Sequence, residues 1–398
     1  MHKRGIALSA CLLAGGLYLF VAAQQRVQDL PAPFATKSVN NGPKIIPEPD
    51  NAKLAVPAGF HIEKWAEDFN QPRTMMLGPG NEIILADSGG RRPGCIYVLQ
   101  GKDRKKIIDG LKQPYGLEMW NGYLYVGEND SVKRYKYDAK AVTAGPGEEV
   151  ISLAGQGTHH WTRSLLFDRK HEWLYVGVGS GSNNDIGEDP RRAAINRYST
   201  KDWKHEIFAA GLRNPIGMRW YPGTDTLWAA VQERDTLGDD LVPDYFTHVQ
   251  PGGFYGWPYG YIGNHEDPLN HGKPGQRLDL VAKSIVPDVL LGSHVAVLDF
   301  LFYTGKQFPA RYQGGAFLAF HGSWNRSMRV GQCVAFIPFK NAKPDGSIEE
   351  VVKGWMVAPD QRAVWGRPVG LLQLPDGSLL ISEDGNDTIW RLTYGKQE

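Results

Sequence analysis

The chain has 398 residues, with 44 Lys+Arg against 43 Asp+Glu and a formal net charge of +1. No surplus of either sign exists to draw in nucleic acid or an anionic surface. Its 47 glycines, 12 Trp, 17 Tyr and 15 Phe, with few helical periods, point to an all-β chain with many turns. The three cysteines, Cys11, Cys95 and Cys333, show no CxxC or Cys/His spacing of a metal site. Cys95 and Cys333 read either as a disulfide or as two free thiols.

In chain order, His2-Lys3-Arg4 opens a basic segment, and Gly5 to Ala23 follows without a charge. Val21-Ala22-Ala23 resembles a small-residue cleavage site, so residues 1–23 read as an export signal. The uncharged run is also just long enough to span a bilayer, which makes an uncleaved N-terminal membrane anchor the alternative. Both readings put the body outside the cytoplasm, in the periplasm or beyond the cell. Residues 24–53, with Pro31, Pro33, Pro43, Pro47 and Pro49, read as an extended linker. Residues 54–398 form the globular part.

A unit then repeats imperfectly. Gln71-Pro72-Arg73-Thr74-Met75 opens the first copy and Gln113-Pro114-Tyr115-Gly116-Leu117 the second. Thr162–Phe167, Asn214–Trp220, Leu298–Tyr303 and Arg367–Leu374 open the remaining four. Each is followed by a turn and further alternating strands, with Asn121-Gly122 and Asp376-Gly377 as hairpin signals. Six such units predict a six-bladed β-propeller with four-stranded blades. His61–Ala66 is expected to pair with the last blade and close the ring. The long stretches Asp235–Gly260 and Tyr261–His294 read as insertions on one face, where sites are usually built.

In a propeller the loops leading into each innermost strand meet at the channel mouth. Gln113, His159, His160, Arg213, Asn214 and Arg367 stand at that position. His160 is a candidate general base, His159 its competitor, and a structural histidine the plain alternative. Arg213, Arg326 and Arg367 are expected to converge on a multiply charged anion, since a planar guanidinium suits carboxylates. Trp324, Trp257 and Trp365 either stack on a flat ring or pack between blades. The strand ending at Gln232-Glu233-Arg234 is followed by Asp239 and Asp240. Acidic oxygens, backbone carbonyls and a forked cation there suit a hard metal ion holding an anionic ligand. A simple turn and a solvated acidic loop are the bland readings of the same residues.

Four segments, Gly-Leu-Arg213-Asn214-Pro, Phe-Tyr255-Gly-Trp-Pro, His321-Gly-Ser-Trp-Asn-Arg326 and Trp365-Gly-Arg367-Pro, resemble the soluble quinoprotein glucose and sorbosone dehydrogenases. The resemblance runs from about Leu54 to Tyr394. It implies a pyrroloquinoline quinone (PQQ) and calcium-dependent enzyme that oxidises a sugar or sugar-derived aldehyde and passes electrons to an external acceptor. It makes His160 the base and sets Arg213 and Asn214 on the quinone's reactive carbonyl. Gln113, Arg326 and Arg367 become further cofactor contacts, with Trp365 where the family has a second arginine. The main-chain carbonyls of Glu233 and Arg234 would hold the calcium at the cofactor. Asp239, Asp240 and Tyr255 would hold a second, structural calcium. The absence of a Rossmann fingerprint speaks against a nicotinamide cofactor. The rivals are a calcium-dependent lactonase or esterase and a non-catalytic propeller that binds glycan or protein.

Overall fold

The computed structural model describes residues 21–22, 26–101 and 103–395. Cys11 and the leader, apart from Val21 and Ala22, lie outside them.

Six antiparallel sheets form the ring. From the innermost strand outward, blade 1 is Pro72–Leu77, Ile83–Asp87, Gly94–Gln100 and Asp103–Leu111. Blade 2 is Leu117–Trp120, Tyr123–Glu128, Ser131–Asp138 and Thr143–Ser152. Blade 3 is Arg163–Phe167, Trp173–Val178, Ala194–Ser199 and His205–Ala210. Blade 4 is Asn214–Trp220, Leu227–Gln232, Pro243–His248 and Val289–Ser293. Blade 5 is Val297–Phe302, Ala316–Phe320, Cys333–Ile337 and Ile348–Lys353, with Val21–Ala22 added at its edge. Blade 6 takes Pro368–Gln373, Leu379–Glu383 and Thr388–Tyr394 from the C-terminal end and Phe60–Ala66 from the N-terminal end. The ring thus closes as the sequence predicts.

Alternation along the strands explains the stacking. Ile83 and Leu85 pack toward blade 6, while Ile84 and Ala86 pack toward blade 2. Leu227, Ala229 and Val231 face blade 3, and Trp228 and Ala230 face blade 5. A strand with period 2 can be apolar on both faces only where both are covered. Six such cores lie between neighbouring blades. A seventh, of Tyr115, Ile216, Leu298 and Val369 with Trp161 against it, plugs the central channel.

The plug follows from the repeat. Tyr115, Ile216 and Val369 each stand between a proline and a glycine, in Pro114-Tyr115-Gly116, Pro215-Ile216-Gly217 and Pro368-Val369-Gly370. The middle side chain enters the channel, and the glycine lets the next blade approach. A Cβ on Gly116 would overlap the Arg163 carbonyl and come 2.7 Å from Leu165 N. Because those are backbone atoms, they cannot yield cheaply.

One expectation changes, and one open alternative is decided. The proline-rich segment is no free linker. Its backbone is hydrogen-bonded to the loops of blades 4, 5 and 6 from Phe34 to Ile46, and Lys44–Ile45 pairs in parallel with Ala363–Val364. Proline there removes donors that would otherwise need partners and pre-extends the chain. Cys95 and Cys333 are both buried and free, one in blade 1 and the other in blade 5.

Gly116→Ala is therefore expected to cost about 2 kcal/mol or more by overpacking. Gly145→Ala, where the nearest group is Lys136 at 3.7 Å, should stay within about 0.5 kcal/mol of wild type. Urea denaturation of the two variants checks the contrast.

Candidate active site at the channel mouth

Above the apolar plug lies a cavity of about 380 Å³, lined by Arg73, His160, Arg213, Asn214, Trp324 and Arg367 among others. His160, Arg213 and Arg367 come from the loops before the innermost strands of blades 3, 4 and 6, and Arg73 and Asn214 from the first residues of the innermost strands of blades 1 and 4.

His160 has a left-handed backbone, φ 44°, and its Nδ1 lies 3.0 Å from both Ser180 O and Ser180 Oγ. A carbonyl only accepts, so Nδ1 carries the proton and Nε2 keeps its lone pair. Burial, with the nearby Arg213 charge, holds the ring's pKa well below the ordinary histidine value. The ring is therefore a neutral acceptor at neutral pH. Arg163 Nη1 donates to His160 O at 2.8 Å, and Arg192 Nη2 donates to His159 O at 2.6 Å and to Ser180 O. These bonds fix the strained turn. His159 is more exposed and packs its ring edge-on against His160 at 4.2 Å.

Two carboxylates, buried Asp384 and half-buried Asp235, organise the cations. Asp384 holds Arg73 Nη2 at 2.8 Å, Arg367 Nε at 2.9 Å and His321 Nε2 at 2.8 Å. Burial works against its charge, yet Arg73 and His321 keep the carboxyl below the usual carboxylate range. Asp235 holds His294 Nδ1 at 3.1 Å and Arg213 at 3.5 Å. His294 Nε2 also meets Gly238 O at 2.9 Å. With acceptors on both nitrogens, this ring carries two protons. Burial opposes that charge, but Asp235 prevails and the pKa is raised. Arg213 spends Nε and Nη2 on Asn183 and Nη1 on the Glu233 carbonyl at 2.7 Å.

Oxygen acceptors collect beside Arg213. Burial pushes the Glu233 carboxyl up to about 8 and that of Asp244 up to about 7. Glu233 Oε1 and Asn214 Oδ1 are buried without a hydrogen-bond partner among the described residues. Unpaired buried oxygens are costly, and a hard cation would satisfy both. Arginines from two sides of the mouth, together with half-exposed Trp324, fit a flat, multiply anionic ligand.

The structure gathers His160, Arg213, Asn214, Glu233 and Arg367 around one cavity. His321 also lines the cavity. Arg326 does not: Asp240 at 2.7 Å and the Asp239 carbonyl take its guanidinium at the rim. Arg73 is the third cavity arginine in its place. The Arg234 side chain is buried in an ion pair with Asp267. Gln113 has a left-handed backbone, φ 50°, and lies outside the lining. Asp239 bonds Ser327, while the Tyr255 hydroxyl meets His248 O at 3.0 Å and Gln250 N at 3.1 Å. No contact joins the tyrosine to the aspartates, and no group of three or more His, Cys, Asp or Glu placed for a metal occurs among the described residues. Trp257 is buried with Nε1 on Asn183 O, and Trp365 packs against Trp355 and Trp390. Sequence reasoning missed Arg73, Asp235, Asp244 and His294. Arg73 was within reach, because it follows Pro72 as Tyr115, Ile216 and Val369 follow their prolines.

Residues 54–251 and 280–395 match the model of the TrAA12-like family. An uncharacterized protein of Borreliella burgdorferi is 26% identical over 88% of this chain and 94% of its own length. The pyrroloquinoline quinone-dependent pyranose dehydrogenase of Coprinopsis cinerea is 21% identical over 85% of this chain, which spans 54% of that enzyme. Among solved structures, the holo PQQ domain of the C. cinerea pyranose dehydrogenase superposes with a TM-score of 0.72 at 18% identity, covering 87% of this chain and 98% of that one. The soluble aldose sugar dehydrogenase of Escherichia coli in its apo form gives 0.63 at 16% identity, covering 84% and 99%.

Asp384→Asn should cost about 3–5 kcal/mol at neutral pH, since it strips the shared carboxylate from Arg73 and Arg367. The folded pKa of Asp384 is depressed, so its contribution is present above the unfolded value of ~3.9 and is lost as pH falls through the lower folded value. The gap between variant and wild type in urea denaturation should accordingly narrow in strong acid.

Proposed function

Since the chain belongs to the TrAA12-like family, we propose that it is an exported, PQQ- and calcium-dependent dehydrogenase oxidising a sugar. The observation that carries this reading is a neutral His160 on a cavity ringed by Arg73, Arg213 and Arg367. Bound there, the quinone supplies a two-electron acceptor and the calcium a Lewis acid.

The chain's own residues do the rest. Arg73 and Arg367 hold an anionic planar ring in place. The oxygens of Asn214 and Glu233, with the main-chain carbonyls at Glu233 and Arg234, are the donors for the cation. Arg213, fixed by Asn183, Asp235 and the Glu233 carbonyl, places a positive charge where an oxyanion develops. His160 Nε2 accepts the hydroxyl proton of the sugar as the C–H hydride leaves the same carbon, so the alcohol becomes a carbonyl. Ser180 O keeps the proton on Nδ1 and hence the lone pair on Nε2. The apolar plug closes the floor of the site against water. A reading as hydrolase leaves the three arginines without a task.

His160→Gln is expected to lower kcat about 10²- to 10⁴-fold, the usual share of a general base. Cofactor binding, read by quinone absorbance, should persist. Dye reduction at wild-type rate across aldoses and sugar aldehydes would remove His160 from the role. In the wild type, the acid limb of the kcat/KM profile should fall below the ordinary histidine value of ~6.5, because burial depresses the pKa of this base.

A further inference from the structure

Residues 34–46 run across the mouth from blade 4 to blade 6. Phe34 N donates to Leu237 O at 2.7 Å, and Asp239 N donates to Thr36 Oγ1 at 2.7 Å. Over blade 5, Asn325 Nδ2 donates to Val39 O at 2.6 Å and Asn41 N to Trp324 O at 2.7 Å. Asn41 Nδ2 reaches Arg326 O and Ser327 O, each at 3.0 Å. Buried Arg329 closes the joint with Nη2 on Asn41 O at 2.6 Å. Over blade 6, Arg362 Nε donates to Gly42 O at 2.7 Å, before the parallel pairing at Lys44–Ile45.

Between these anchors Pro43 lines the cavity. Having no N–H, it can do so without stranding a donor. Trp324, tied by its carbonyl to Asn41, lines the cavity too, with 42% of its surface exposed. Proline and tryptophan make an apolar lip of the kind that covers the C–H face of a sugar ring. At about 380 Å³ the cavity is near the low end of small-molecule sites, roughly 300–1,000 Å³, and must hold a tricyclic cofactor as well. The strap also precedes the residues matched by the family model, which begin at 54.

We propose that this strap is the specificity element of the site: Pro43 and Trp324 admit a single sugar ring, and the anchored backbone around them shuts out the next units of an oligosaccharide. This rests on the sugar-oxidising function proposed above. The lip acts on the substrate's size, not on the proton transfer, so it separates substrates without changing the base.

The test compares wild type, Pro43→Ala, which disturbs none of these hydrogen bonds, and the double variant Asn41→Ala/Pro43→Gly. Each is loaded with PQQ and calcium, and its thermal melt is recorded. Values of kcat/KM are measured for a monosaccharide and for the trisaccharide of the same unit, and sugar binding is followed separately by tryptophan fluorescence. Wild type should favour the monosaccharide. The double variant should raise the trisaccharide-to-monosaccharide ratio at least about tenfold, the scale of a pocket-wall change. Pro43→Ala should move it the same way by less. An unchanged ratio in both variants, or a wild type indifferent to chain length, overturns the strap's role and leaves the proposed function standing. A wild type that neither binds nor oxidises any sugar overturns the function, and the strap's role falls with it.

Discussion

The pairing of Phe60–Ala66 with Thr388–Tyr394 joins the two ends of the chain in one sheet. Without it blade 6 has three strands, and the ring has nothing across the last strand. With it each blade packs on two neighbours, and the innermost strands are forced together around a channel too narrow for a pore. The Pro-x-Gly units meet that constraint, with one side chain in the channel and one glycine where the next blade presses in. The ring also gives the loops above a rigid base, and such a base is what a preorganised charged site needs.

On that base the mouth concentrates charge that would be costly elsewhere. Asp384 gathers Arg73, Arg367 and His321, and Asp235 gathers Arg213 and His294. Each carboxylate offsets part of the burial cost of its cations and sets their direction. What is left over is informative: a neutral histidine base, cationic groups on two sides, and two orphaned oxygens. The proposed chemistry uses all three, whereas a purely structural account gives the oxygens no purpose.

The fold was largely legible in the sequence, because alternation, Asn-Gly and Asp-Gly turns and a sixfold repeat all point the same way. So was half of the site. His160, Arg213 and Arg367 stand just before innermost strands and Asn214 begins one, where the repeat fixes their direction. The misses have a common cause. Asp239 lies in an insertion and Arg326 in a loop of blade 5, where contacts over 80 residues away in sequence decide the shape and the two tie each other down. Asp235 and His294 meet only because one begins an insertion and the other follows its last strand. Composition alone makes the strap a linker, because its partners lie on three different blades.

The central claim is that the mouth is built for an anionic quinone and a hard cation together. Titration of the purified apo-protein with PQQ, with and without calcium and followed by absorbance, tests it most directly. The account predicts saturable binding at one quinone per chain that calcium strengthens, weakened in Asn214→Ala, which removes one of the orphaned oxygens. Absence of binding in both conditions, or binding that calcium does not strengthen, would contradict it.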